Sequence, residues 1–193
     1  MLYSPGLGPP EARRNEAKVV SLKFLKLFLV VLLMFLSAYA CKEKPEKPSL
    51  PKLGTNAIDF NIHDLKGQTW SLDKIKGKVV LLRFWADWCP YCRYEMPVIE
   101  KYYQRLNKDG FIVLAVNVKQ SAEVALAFTA QLDLTFPIPL DPGGELARRY
   151  GVYAIPTNFL IDRDGIIREI LIGEVFREEK PLRDLLKNYF PLS

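Results

Sequence analysis

Hydrophobic and polar positions change period several times along this chain, and each change marks an element. Ile58 to Ile62 and Gln68 to Leu72 read as a short strand pair around the turn-prone Asp64-Leu65-Lys66-Gly67. Lys78 to Trp85 reads as a central buried strand, its apolar run from Val79 to Trp85 interrupted only by Arg83. Ile99, Tyr102, Tyr103 and Leu106 then follow i, i+3, i+4, i+7 spacing, so a helix buries one stripe, and Pro97 inside it predicts a kink. Phe111 to Val118 is short and rich in Val and Ile, the pattern of a buried parallel strand. Ser121 is placed to cap a helix whose inner face includes Val124, Ala127 and Phe128. A short helix over Glu145 to Tyr150 stops at Gly151. Asn158 to Ile161 and Ile166 to Ile172 form a hairpin about Asp162-Arg163-Asp164-Gly165, where Asp-Gly is a strong turn signal. Leu182, Leu185, Leu186 and Tyr189 give a last helix one apolar face. Strand–helix alternation followed by a hairpin and a helix predicts an α/β fold, a mixed sheet covered on both faces.

The first fifty residues follow a different logic. Leu27 to Ala40 is free of charge and preceded by Lys18, Lys23 and Lys26. It is shorter than the roughly 20 residues that cross a bilayer and suits the apolar core of a signal peptide, so residues 1–40 are expected to be a leader. The stretch before Lys18 makes an unusually long n-region, as an over-extended N-terminus does. Ala38-Tyr39-Ala40-Cys41 ends the run like the processing site of a bacterial lipoprotein, which makes Cys41 a candidate for lipidation. An ordinary secretory cleavage leaves Cys41 as an unpaired thiol, which lipidation explains. Residues 41–52 contain Lys42-Glu43-Lys44-Pro45-Glu46-Lys47-Pro48, a charged, proline-rich tether with nothing to bury, and residues 53–193 form the folded domain.

The net charge of +5 is partly a property of the leader, which holds Arg13, Arg14, Lys18, Lys23 and Lys26 against Glu11 and Glu16. No basic stripe or nucleic-acid motif appears, and no nucleic-acid partner is expected.

The chemistry lies in Trp88-Cys89-Pro90-Tyr91-Cys92, directly after the apolar run. A strand running into a helix start places the first sulfur near unpaired backbone N–H groups and the positive end of the helix dipole. That field favours thiolate, the nucleophile of disulfide exchange. Pro90 fits the first helical position, where its missing N–H has no partner to lose. Cys89 is therefore expected at the exposed helix N-terminus with Cys92 one turn in and more shielded. A zinc site needs about four ligands, and outside this pair the chain offers only Cys41 and His63 among its cysteines and histidines, so no metal is expected. An inert disulfide closing so short a loop constrains the unfolded chain little. Copper binding through two cysteines and a later histidine lacks that histidine, and His63 reads as a surface residue.

Phe84-Trp85-Ala86-Asp87-Trp88-Cys89-Pro90-Tyr91-Cys92, Glu95-Met96-Pro97 and Ala154-Ile155-Pro156-Thr157 together resemble the thioredoxin fold, and within it the membrane-tethered TlpA/ResA-type thiol-disulfide oxidoreductases. The resemblance covers roughly residues 53–190 and implies a thioredoxin-like mixed sheet flanked by helices, with an added N-terminal β-hairpin and an insertion around Val118 to Leu134. It implies that Pro156 is cis and lies against the cysteine pair, and that Trp88, Pro90, Tyr91, Ile155 and Pro156 form a groove for an extended substrate strand. Trp85 and Trp88 are expected to wall the site and pack the sheet. Cys89 attacks and Cys92 resolves, without organic cofactor or metal. The implied clients are disulfide-containing proteins of the bacterial cell envelope, reached from a membrane surface through the N-terminal anchor, and the implied donor is an integral-membrane thiol carrier. Cytochrome c maturation is one candidate pathway. An oxidase or isomerase of secreted proteins, or a client-binding module with a structural disulfide, is the alternative. Two positions depart from the pattern. Arg83 stands where an acidic residue or Asn is usual, and it is expected to snorkel outward. Gln120 stands where the tethered branch often has a glutamate, so a carboxylate proton relay is not expected there.

Overall fold

The computed structural model describes residues 26–32 and 50–192. Residues 26–32 are helical and exposed, and no helix among the described residues is long and apolar enough to cross a membrane. Most of the leader and tether, Cys41 included, lies outside the described residues.

The rest is built on a five-stranded mixed sheet. Its strands are β3 (Val79–Trp85), β4 (Phe111–Val118), β5 (Leu140–Asp141), β6 (Thr157–Ile161) and β7 (Ile167–Ile172), in the order β5-β4-β3-β6-β7. β3 pairs parallel with β4 and antiparallel with β6, so the sheet changes direction at its centre. A separate antiparallel pair, β1 (Asn61–His63) and β2 (Thr69–Ser71), precedes it. The helices are α1 (Leu72–Ile75), α2 (Pro90–Leu106), α3 (Ala122–Gln131), α4 (Glu145–Arg149) and α5 (Glu179–Leu186).

All seven residues of β3 are buried, because both faces of the sheet are covered. Side-chain alternation divides them. Val79, Leu81 and Trp85 join the core with α2, α3 and α5 residues such as Ile99, Phe128 and Leu182. Val80, Leu82 and Phe84 join the opposite core with Phe60, Ile62, Leu146 and Tyr150. The N-terminal segment guards both sheet edges. Ala57 donates to Gly165 O and Ile167 donates to Thr55 O beside β7, while Leu65 donates to Ile138 O just before β5. Edges covered in this way resist pairing with other chains.

Most sequence expectations are met, with informative exceptions. The first hairpin is shorter than predicted, and Leu72 starts a helix turn instead of ending a strand. β5 lacks a two-residue signal that any pattern could register and exists because β4 offers it an edge. Ser121 caps α3, its hydroxyl accepting from Val124 N at 3.4 Å, but Val124 and Ala127 are exposed and the buried face is Ala125, Phe128 and Thr129. Seven of the ten residues of α3 are apolar, so its sequence did not mark which face meets the core. α2 continues through Pro97 to Leu106.

Three aspartates hold turns and a helix start by accepting backbone N–H groups. Asp64 accepts from Lys66 N and Gln68 N, each at 2.9 Å, and from Trp70 Nε1. Asp141 accepts from Glu145 N and Ala147 N at the start of α4. Asp162 accepts from Asp164 N at 2.9 Å, from Ile166 N at 3.0 Å and from Arg168 Nε. Burial pushes the Asp162 carboxyl up, but these donors outweigh it and hold the pKa below the ordinary aspartate value. A carboxyl made more acidic by folding stabilises fully above its unfolded pKa, about 3.9, and that stabilisation is lost as pH falls through the folded value. Asp162→Ala is expected to cost about 1–2 kcal/mol at neutral pH. In urea titrations the gap from the parent should narrow below about pH 4; an unchanged gap would show that the carboxylate charge is not what holds the turn.

Candidate active site

β3 delivers the chain to the site, and α2 begins one loop later. Cys89 is the N-cap of α2 with extended backbone (φ −84°, ψ 107°), and Pro90 occupies the first turn as its fixed φ requires. Cys89 and Cys92 form a disulfide, their Cα atoms 5.3 Å apart. Cys89 Sγ also accepts a hydrogen bond from Cys92 N at 3.1 Å. One of the orphan donors of the helix start is thus aimed at the first sulfur, the arrangement that stabilises negative charge there.

The expected difference in exposure is absent. Cys89 is 1% exposed and Cys92 is fully buried. The reason is geometric: the Cys89 side chain turns back over the helix start to reach Cys92 and its N–H, so it points along α2 and not outward. What reaches solvent is the rim, with Trp88 66% exposed, Tyr91 45% exposed and Pro90 exposed. The pair is asymmetric through hydrogen bonding, not burial.

The other side of the site comes from the segment before β6. The Ile155–Pro156 bond is cis. Ile155 packs against the apolar cluster that contains both cysteines, and Pro156 is buried. Pro156 O accepts from Gly173 N at 2.8 Å, and Thr157 Oγ1 donates to Ala154 O. Among the described residues no backbone group pairs with the N–H or C=O of Ile155. Trp85 is buried, donates Nε1 to Ala115 O at 2.9 Å and packs against Phe128 with the rings tilted 38° and their centroids 4.7 Å apart. It packs the sheet, while Trp88 stands at the rim. His63 is exposed and bonds Thr69.

Both departures from the family pattern prove structural. Arg83 does not snorkel outward. It is fully buried on the face of β3 that α2 covers, with Nη2 2.6 Å from Glu95 Oε2 and Nη1 2.9 Å from Asn158 Oδ1. The strand is covered on both faces, so a side chain on this face has no route to water. Burial lowers the Arg83 pKa from its ordinary value, and Glu95 opposes that shift. Its Nε has no partner among the described residues. Glu95 spends its other oxygen on Val175 N and Phe176 N, each at 2.5 Å. Gln120 ties down the loop before the cysteines: its Oε1 accepts from Asp87 N at 2.9 Å and Asn117 Nδ2 at 2.8 Å, and its Nε2 donates to Asp87. The sequence marks Glu95 and Gln120 only as motif positions; several of their partners, Asp87 for Gln120 and Val175 and Phe176 for Glu95, are remote in the chain.

A buried cysteine pair capping a helix, with the unpaired backbone of Ile155 packed against its cluster, can pass two electrons between dithiol and disulfide. That places the chain among the thiol-disulfide oxidoreductases of thioredoxin fold. More narrowly, the chain belongs to the AhpC/TSA family, which it matches over residues 53–170. It is 34% identical over 174 residues to the thiol-disulfide oxidoreductase ResA of Bacillus cereus, covering 86% of this chain and 96% of that protein. It is 41% identical over 129 residues to the thioredoxin-like protein YneN of Bacillus subtilis, covering 65% of this chain and 75% of the relative. A Chlorobium tepidum structure, provisionally assigned as the thiol:disulfide interchange protein DsbE, superposes with a TM-score of 0.67 at 34% identity, covering 72% of this chain and 98% of that one.

Removing one partner of a buried ion pair strands the other charge, at a cost of about 3–5 kcal/mol. Glu95→Ala is expected to destabilise on that scale in denaturant titrations. The double variant Arg83→Met/Glu95→Leu should recover part of the loss, since it removes the stranded charge but leaves Val175 N and Phe176 N without their acceptor. Additive losses in the double variant would sink this account of the pair.

Proposed function

We propose that this chain is an exported, membrane-tethered enzyme that reduces disulfides of bacterial envelope proteins, Cys89 attacking and Cys92 resolving. The observation that carries the roles is the Cys92 N–H aimed at Cys89 Sγ, which favours negative charge on the first sulfur. In the reduced enzyme, Cys89 thiolate attacks a client disulfide, forming a mixed disulfide and releasing one client thiolate. Cys92, as thiolate, then attacks Cys89 Sγ, releasing the second client sulfur and closing the Cys89–Cys92 bond. The client gains two electrons and its thiolates take up protons from water. A dithiol donor reverses the same two steps to restore the pair, and no organic cofactor or metal takes part.

Trp88, Pro90 and Tyr91 on one side and Ile155 and Pro156 on the other flank the route to the disulfide. The unpaired backbone of Ile155 suits hydrogen bonding to an extended client strand, which would align a client disulfide with Cys89. Export rests on the charge-free run from Leu27 to Ala40 behind lysines, and tethering on the odd cysteine, Cys41, followed by a charged, proline-rich spacer. An exported reductase needs electrons from the cytoplasm, so the donor is an integral-membrane thiol carrier. Apocytochromes awaiting haem are one client class that requires reduced cysteines.

Cys92→Ala should accumulate mixed disulfides with clients in intact cells, visible as reductant-sensitive bands, whereas Cys89→Ala should not. An absence of such adducts removes the catalytic roles. Direction is read from the reduction potential of the pair: a value below about −220 mV fits a reductase, and one near −120 mV marks an oxidant and overturns the reductive assignment.

A further inference from the structure

Beside the disulfide rim lies a cavity of about 710 Å³. Its lining includes Trp88 and Ile155, which also flank the cysteine pair, together with Lys119, Arg148 and Tyr153. The volume falls within the range of about 300–1,000 Å³ typical of binding clefts. Its charge is one-sided: Lys119 and Arg148 are its only ionised lining residues, and neither makes an ion pair or side-chain hydrogen bond among the described residues. Lys119 holds a left-handed backbone conformation (φ 58°), rare for a residue with a side chain, at the turn where β4 ends. Its methylenes lie across Gly144, where a Cβ would stand 2.6 Å from Lys119 Cε. Tyr153, 83% exposed, and Trp88, 66% exposed, supply aromatic walls.

We propose that this cavity is a second recognition subsite, which binds an acidic segment of the client polypeptide adjoining the cysteine under attack. The inference rests on the disulfide-exchange reading above and names which clients that site prefers. A client strand paired with Ile155 leaves the disulfide and enters the cavity directly, since Ile155 and Trp88 belong to both. Carboxylates on that strand then meet Lys119 and Arg148, while its apolar groups lie on Val118, Val152 and Tyr153. The mixed lining suits a polypeptide better than a free small anion, which has no use for the aromatic and aliphatic walls.

The test is binding of fluorescent, cysteine-free extended peptides to the full-length oxidised protein, one with adjacent glutamates and one with lysines in their place. The acidic peptide is expected to bind more tightly, with affinity falling as salt rises. The double variant Lys119→Glu/Arg148→Glu should weaken the acidic peptide about tenfold and favour the lysine peptide, a reversal that an unfolded protein does not produce. Equal affinity for both peptides, or a preference untouched by the double variant, overturns the proposal. So does loss of binding to anionic phospholipid vesicles, in the double variant, without any change in peptide affinity, since that assigns the cations to a membrane surface. Turnover of a small uncharged disulfide by the parent enzyme is measured alongside: its absence removes the redox reading, whereas peptide binding alone decides the subsite.

Discussion

The ion pair between Arg83 and Glu95 joins the parts on which the site depends. Arg83 lies on the central strand, Glu95 on the helix that carries the cysteines, Asn158 on the strand after Pro156, and Val175 and Phe176 in the segment leading to α5. A guanidinium taken out of water keeps its charge and must be met by a carboxylate and by acceptors, so these elements have few alternative arrangements. Burying the pair carries a large desolvation cost, and its value lies in fixing where α2 sits over β3. That placement sets the position of both sulfurs.

Other carboxylates work in the same manner on a smaller scale. Glu100 accepts from Thr135 N at 2.9 Å and Phe136 N at 3.4 Å, tying the middle of α2 to the chain entering β5. Asp64, Asp141 and Asp162 each take up backbone donors that a turn or helix start leaves unpaired. Gln120 does this for Asp87 N, immediately ahead of Trp88 and Cys89. The irregular segments around the cysteines are therefore held by side-chain acceptors, while the sheet supplies the rigid base.

The resting disulfide is shielded, and recognition passes to what surrounds it. Trp88, Tyr91 and Tyr153 are exposed although aromatic, and they lie on or beside the two sides of the route to the sulfurs. Large exposed rings at the mouth of a reactive site are ordinary features of surfaces that meet other proteins. Chemistry and recognition are divided between a buried pair and an exposed rim.

Local interactions along the chain were legible without coordinates. The strand ending at Trp85, the helix starting at Pro90, the parallel strand from Phe111 to Val118 and the Asp162–Gly165 turn each follow from period, cap or turn chemistry within a few residues. The Cys89–Cys92 pair was legible for the same reason. Tertiary structure alone decided the direction of Arg83, the face of α3, the existence of β5, the near-equal burial of the cysteines and the meeting of Lys119 with Arg148 at one cavity. Each of these turns on residues distant in sequence, as with Arg83 and Asn158, which sheet register brings opposite one another across 75 positions. A pattern of neighbours carries no information about which remote partner the register will supply.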